Sequence, residues 1–580
     1  LFMYSDNKLV LQIISLLKQF GIKRIVVSPG SRHFSLVHSL EADNSFSLYS
    51  VVDERSAAFF ALGMIQQTGD PVAITCSSGT ACMNYGSAIV EAFYQKLPLL
   101  ILSSDRPPEL LNQLEDQMYD QLSTFTNCTK YQGQLREIKT DTDEWYANRI
   151  LNEGLLELNH HGKGPVHLNI PFTSHRNDTF SNTSLPEVRK ISLRRADAPP
   201  EMWIEASTKL NNKKIMIIWG QSVSLTDRFK KAIDRFCECF NVIILTDKIS
   251  NLHHPKAIYN VPAILSSLRW EDKANLIPDI VISIGGNYIF NNEIKALLRP
   301  AKIPHWQVGY EDKVCDPFRT LTEIFEMGEA FFFEQLSSTG IATHQNDYEE
   351  AWKKISCQIP IPTAECGELY AIGRLLTNFP ENADLQLANS CTIRMAHFFP
   401  TNDSIRINCN RGVNGIDGSM STAVGFAAAN PKATFLIIGD LSFFYDMNAL
   451  WNRHLSKKLR IMLINNEGGA VMYAPINKEM RKTLPAHIAA GHITSAQGWV
   501  ESLGFQYIEA SSKDEIDEGI NILTDLSIEH PILLEVHSTT VRDINAMQDF
   551  TSSLYHPSMS EKIVNEAKNI AKKAIRIIKQ

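Results

Sequence analysis

Short, almost wholly apolar runs that end in glycine, serine or a carboxylate constrain this chain more than any other feature. They include RIVVSPG (24–30), PVAITCSSG (71–79), LPLLILSSD (97–105), KKIMIIWG (213–220), NVIILTD (241–247), DIVISIGG (279–286), FLIIGD (435–440) and LRIMLINNEGG (459–469). Runs of this kind suit strands covered on both faces. Helical stretches such as KLVLQIISLLKQ (8–19) and RSAAFFALGMIQQTG (55–69) separate them. The pattern predicts an α/β protein built from open parallel sheets.

At 580 residues the chain exceeds what one core supports. Two polar stretches, SNTSLPEVRKISLRRADAPP (181–200, read as a linker) and SSTGIATHQNDYEE (337–350), divide the pattern. The expectation is three successive α/β domains, 1–180, 181–345 and 346–580. A composition of 44% hydrophobic and 21% charged residues is that of a globular protein, and a net charge of −8 offers no basic field for nucleic acid. No run approaches the ~18 apolar residues of a membrane span, and the opening LFMYSDNKLV lacks a basic segment followed by an apolar one. The expectation is therefore a cytoplasmic protein with no membrane partner. Cys237 and Cys239 form a close pair without the further ligands of a zinc site, so the ten cysteines read as reduced thiols.

Ligands of open parallel sheets bind at the carboxyl ends of strands. Asp440 stands at one such end, and Asn466 and Gly468 stand at another, with the helix YDMNALWNRHL (445–455) expected between them. A carboxylate, an amide oxygen and a glycine carbonyl are hard ligands suited to Mg²⁺ beside a diphosphate. A lone Gly-Asp can also be an ordinary helix cap. Asp53 reads as such a cap, whereas Glu54, between an apolar strand and an apolar helix, is expected to be partly buried and able to give a proton to a ring nitrogen. The turns SPGSR (28–32) and SSGTA (77–81) let a ligand approach the backbone closely.

Taken in order, SPGSR, DER, SSGTA, SSDRPPEL, NSCTIR, NRGVNGIDG, GDLSFFYD and NNEGG resemble the thiamin-diphosphate-dependent decarboxylase family. Where that family normally has Gly-Asp-Gly, this chain has Gly439-Asp440-Leu441, which is similar to the branch of 2-succinyl-5-enolpyruvyl-6-hydroxy-3-cyclohexene-1-carboxylate (SEPHCHC) synthases of menaquinone biosynthesis. The resemblance implies thiamin diphosphate with Mg²⁺ or Mn²⁺, the metal held by Asp440, Asn466 and the Gly468 carbonyl. It implies Glu54 as proton donor to the aminopyrimidine and Ile416 as the apolar prop of the bent cofactor. Ser78, Gly79, Gly439, Leu441, Ser442 and Val471 complete the cofactor set. The implied reaction is decarboxylation of 2-oxoglutarate and addition of the succinyl unit to isochorismate. Its carboxylates would meet Arg32, Arg394 and Arg411, with Ser31, Gln117, Asn389 and Ser390 as neutral donors. In the family Glu54 and the metal site come from different subunits, which implies a homodimer or homotetramer.

Three places depart from the synthase pattern. Tyr119-Asp120-Gln121-Leu122 replaces an Ile-Arg-Gln-Pro run, Asn291 and Asn292 stand where a basic pair is usual, and His33 and Phe34 are bulkier than expected. Lys295 and Arg299 are the nearby cations that could compensate. These changes favour, as an alternative, a related carboligase with another acceptor. A nucleotide- or flavin-binding protein is the third possibility, but Gly412, Gly415 and Gly418 do not have dinucleotide spacing.

Overall fold

The computed structural model describes residues 2–173, 179–188, 190, 200–222, 225–310, 315, 317–318, 320–339, 347–474 and 486–555. The boundary expected at 337–350 falls partly outside them.

Three six-stranded sheets follow one another along the chain, and every strand pair within them is parallel. The first runs, in spatial order, Ser47–Ser50, Arg24–Val27, Val72–Cys76, Leu99–Asp105, Val166–Pro171, Tyr131–Gln134. The third runs Ile407–Cys409, Ala383–Leu387, Ala433–Gly439, Leu459–Asn465, Ile532–His537, Gln506–Ala510. These two sheets share one strand order, 2-1-3-4-6-5 in chain sequence, while the second has 3-2-1-4-5-6. In such sheets the crevice lies where the order reverses, between strands 1 and 3. That rule singles out Arg24–Val27 with Val72–Cys76, and Ala383–Leu387 with Ala433–Gly439. The turns SPGSR, SSGTA, NSCTIR and GDLSFFYD leave from these four strands.

The equivalent crevice of the second sheet is filled by its own chain. A Cβ on Gly220 would lie 1.7 Å from the Gly286 carbonyl oxygen, and the Gly220 N–H donates to Ile284. The Asn287 amide instead clamps the third unit by donating to the Arg411 and Gly412 carbonyls, 2.8 Å each.

Helices Glu54–Thr68 and Ser419–Ala429 join the first and third sheets. A Cβ on Gly63 would sit 1.8 Å from the Thr422 carbonyl oxygen, and one on Gly425 1.9 Å from that of Phe60. The glycines bring the backbones into contact, and one apolar cluster runs from Val26, Ile74 and Ile101 through Phe60 and Met420 to Leu436 and Ile461.

Two local expectations change. Phe180–Thr183, at the start of the stretch read as a linker, forms an antiparallel pair with Phe2–Ser5. The helix placed at 445–455 instead begins at Asp440 and ends at Tyr445, followed by a short 3₁₀ turn, Met447–Leu450. Asp446 breaks it, because its carboxylate accepts the Ser421 N–H and hydroxyl, both at 2.7 Å, and is tied to the neighbouring helix.

Gly425→Ala is expected to cost about 2 kcal/mol through forced separation of the two helices. That exceeds the ~1 kcal/mol alanine gains inside a helix, so the urea midpoint and Tm should both fall.

Candidate active site

The third sheet assembles its site from strand ends that are far apart in sequence. Asp440 is the first residue after Ala433–Gly439 and is buried. Its Oδ1 accepts the Leu441 N–H (2.6 Å), and its Oδ2 accepts the Gly468 N–H (2.9 Å). His492 Nε2 lies 3.2 Å from the same Oδ2. Gly468 has φ +145, and a Cβ there would meet the Ala489 carbonyl oxygen at 2.7 Å, so the turn that reaches Asp440 requires glycine.

Asn465 and Asn466 diverge. Asn465 donates to Glu535 (2.7 Å) and the Thr494 carbonyl (2.8 Å), bracing the sheet. Asn466 donates its amide hydrogen to Asp543 Oδ2 (2.9 Å), which leaves its oxygen uncommitted. Asp543 also accepts the Ser538 hydroxyl (2.8 Å) and the Glu368 N–H (3.0 Å). Sequence reasoning missed Asp543 and Glu368. The signal for Asp543 was another apolar run, PILLEV (531–536), passing into a helix whose first turn carries the aspartate.

Burial pushes the Asp440 and Asp543 carboxyls above the usual range. It pushes Glu368 well above that range, and repulsion from Asp543 and Asp440 adds to the effect. Asp440, the Asn466 oxygen and the glycine turn form a hard-oxygen donor set, with the buried Asp543 and Glu368 carboxyls behind it making the surroundings short of positive charge. A hard divalent cation fits it.

Beside this set, the Ser442 hydroxyl donates to the Ile416 carbonyl. The Ile416 side chain is 40% exposed, unusual for isoleucine next to a core. Leu441 and Val471 are half-buried nearby on the same strand-end segments. Asn389 gives both amide hydrogens to carbonyls, Asn410 and Gly415 (2.7 Å each), and its oxygen accepts Arg411 Nη1 (3.0 Å). It braces the arginine loop instead of facing outward. Ser390 has φ +75, Arg394 is exposed, and Arg411 is buried with its Nε unpartnered.

The first sheet gives the matching half. A Cβ on Gly30 would press on the Ser77 side chain at 2.5 Å, so SPGSR and SSGTA pack together. Ser78 is buried with no hydrogen-bond partner for its hydroxyl, and Ser419 Oγ is orphaned likewise. Gly79, φ +83, donates its N–H to Gln121 Oε1 (2.7 Å) and leaves contact room only for the exposed Gln117. Arg32 is buried, Nη1 reaching the Phe172 carbonyl at 3.4 Å, while Ser31 is exposed. His33 bonds Thr75 in the interior (3.0 Å) and Phe34 faces His38 and Phe180.

Asp53 caps its helix by accepting the Ser56 N–H (3.0 Å), as expected. Glu54 matches the expected partial burial: as the first residue of that helix it stands on the rim, partly buried, accepting only an amide hydrogen of Asn84 (3.1 Å) among the described residues. Among the described residues no hydrogen bond joins it to Asp440 or Asn466.

Residues 8–124 match the model of the thiamine pyrophosphate enzyme N-terminal TPP binding domain. The chain is 40% identical over 559 residues to the SEPHCHC synthase of Bacteroides fragilis, covering 95% of this chain and 100% of the relative. It is 39% identical to that of Phocaeicola vulgatus and 38% to that of Bacteroides thetaiotaomicron, covering 95% of this chain each time and 99% and 100% of those relatives.

The chain belongs to the SEPHCHC synthase family. It is a thiamin-diphosphate-dependent enzyme of the transferase type. The buried orphan hydroxyls of Ser78 and Ser419, the glycine turns and the carboxyl cluster are what a polar, diphosphate-bearing cofactor with its cation would satisfy.

The departures from the synthase pattern have local explanations. Asp120 caps a turn through Ser123, and Gln121 is buried, bonding the Ser104 carbonyl and Asn169 (3.1 Å each) besides Gly79. Asn292 is exposed, and Asn291 lines a cavity of about 340 Å³ with Lys96, Lys163 and Lys295. Arg299 is turned to the Pro317 carbonyl (3.0 Å).

Gln121→Ala removes three buried hydrogen bonds, and since the Asn169 oxygen keeps the Ser103 hydroxyl (2.8 Å), a loss of about 2 kcal/mol is expected. A lower urea midpoint checks it.

Proposed function

We propose that this enzyme decarboxylates 2-oxoglutarate and transfers the succinyl unit to isochorismate, forming SEPHCHC for menaquinone biosynthesis in the cytoplasm. The observation that carries the proposal is the Asp440, Asn466 and Gly468 constellation in a chain whose full-length relatives bear the synthase name. The same relatives favour isochorismate over another acceptor.

In this reading residues 1–180 bind the pyrimidine, 181–345 form the central domain, and 346–580 bind the diphosphate. Asp440, the Asn466 oxygen and the Gly468 carbonyl hold Mg²⁺ or Mn²⁺. Asp543 supports that assignment, because it takes the Asn466 N–H and so turns the oxygen toward the site. Ser78, Gly79, Gly439, Leu441, Ser442 and Val471 line the cofactor, and Ile416 props it. When bound, thiamin diphosphate supplies the electron sink for carbon dioxide loss and succinyl transfer.

Glu54 holds the proton shared with the pyrimidine ring nitrogen, acting across to the metal site of a second copy. Its place on the rim supports this, as do the exposed apolar side chains of Val52, Met83, Val413, Tyr445 and Trp451, which suit a homodimer or homotetramer. Arg32, Arg394 and Arg411 receive substrate carboxylates, with Ser31, Gln117 and Ser390 as neutral donors and Asn389 as the brace of Arg411.

With Mg²⁺, thiamin diphosphate and 2-oxoglutarate, carbon dioxide release should accelerate when isochorismate is added. Release that isochorismate leaves unchanged would refute the acceptor. Glu54→Gln should lower kcat at least about a hundredfold while calorimetry still detects Mg²⁺ and diphosphate binding. Asp543→Ala should weaken Mg²⁺ affinity about 10- to 100-fold by freeing Asn466, read by the same titration after circular dichroism has checked folding.

A further inference from the structure

A second cavity, of about 380 Å³, lies between the second and third units, beyond the end of strand Asn241–Thr246. Lys248 and His397 line it, and Asp440, Asn466 and Gly468 do not. We propose that this cavity binds a small amphipathic monocarboxylate, with its acid group on the Lys248 ammonium and its apolar body against Phe398, Phe399 and Ile359.

Lys248 is only 7% exposed. Among the described residues its Nζ makes one hydrogen bond, to Thr401 Oγ1 (3.2 Å), and no carboxylate stands within ion-pair distance. An ammonium carries three donors, and a buried charge without a counter-charge is costly. Asp247, next in sequence, attracts Lys248 without lying within ion-pair distance, its two oxygens accepting the Ile249 N–H (3.1 Å) and Ile289 N–H (2.6 Å). Burial accordingly pulls the Lys248 amine down to about 7, against the attraction of Asp247.

His397 is 3% exposed, and neither ring nitrogen closes a hydrogen bond. Burial pulls it down to about 3, with the Tyr259 backbone close enough to oppose the shift slightly. The volume falls in the range of small-molecule pockets, about 300–1,000 Å³. Among the described residues that line the cavity Lys248 is the single ammonium, which suits one negative charge and not a diphosphate. Asp247 also attracts Arg411.

The test titrates 3-phenylpropionate into the enzyme loaded with Mg²⁺ and thiamin diphosphate, by calorimetry. Saturable binding is expected, about tenfold weaker in Lys248→Met and undetected with uncharged 3-phenylpropionamide. At equal concentration the probe should raise the Tm of the wild type more than that of Lys248→Met. Ile361, 57% exposed on the rim, gives a variant that folding tolerates: Ile361→Glu should bind about threefold more weakly by charge repulsion. No binding at millimolar probe, equal affinity for the amide, or equal affinity in both variants would overturn the proposal. So would binding lost in Arg394→Gln but kept in Lys248→Met, which would place the probe at the strand ends. None of these readouts depends on turnover, so the proposed reaction can fail independently.

Discussion

The backbone contact between helices Glu54–Thr68 and Ser419–Ala429 is the constraint on which the rest of the molecule depends. Gly63 and Gly425 have no side chain to hold these helices apart, so two sheets of identical strand order share a continuous core. Each sheet then presents its own crevice at the same topological point, and the helix that carries Glu54 is fixed to the unit that carries Asp440. Arg55 donating to the Tyr445 carbonyl (2.8 Å) and Asn448 donating to Asp53 (3.1 Å) hold the ends of this joint. Glu91 reaches across it to accept the Gly412 and Val413 N–H groups, setting the arginine loop.

Charge is distributed with equal economy. The third sheet buries Asp440, Asp543 and Glu368 close enough to repel one another, a configuration stable only when a cation or protons offset it. Asp543 has two tasks there, capping Glu368 and fixing the orientation of Asn466. Among the described residues the second unit adds no ligand to the Asp440 and Asn466 set. Its crevice is closed by Gly220 and Gly286, and Asn287 supports Arg411 from behind.

Much of the fold was legible because buried parallel strands leave a distinctive trace, an apolar run followed by a small or charged residue. Asp440, Asn466 and Gly468 could be paired from that trace alone. The helix expected at 445–455 failed because local apolar spacing says nothing of Asp446, whose bonds to Ser421 end the helix early. Phe180–Thr183 looked like a linker because a short, mostly polar strand has no apolar periodicity to betray it. Asn389 looked like a substrate donor until its amide was seen to be spent on two carbonyls.

The sequence by itself determined the strand ends, the hard-oxygen ligand types and the resemblance to thiamin-diphosphate enzymes, because these depend on residue identity and short-range spacing. Only the tertiary structure decided which strand ends meet, because strand order is set by packing between helices far apart in the chain. It alone brought Asp543 to Asn466, 77 residues away, left Glu54 on an open rim, and enclosed Lys248 beside His397. Burial and partner geometry, which fix how a charged group behaves, exist only once the chain is folded.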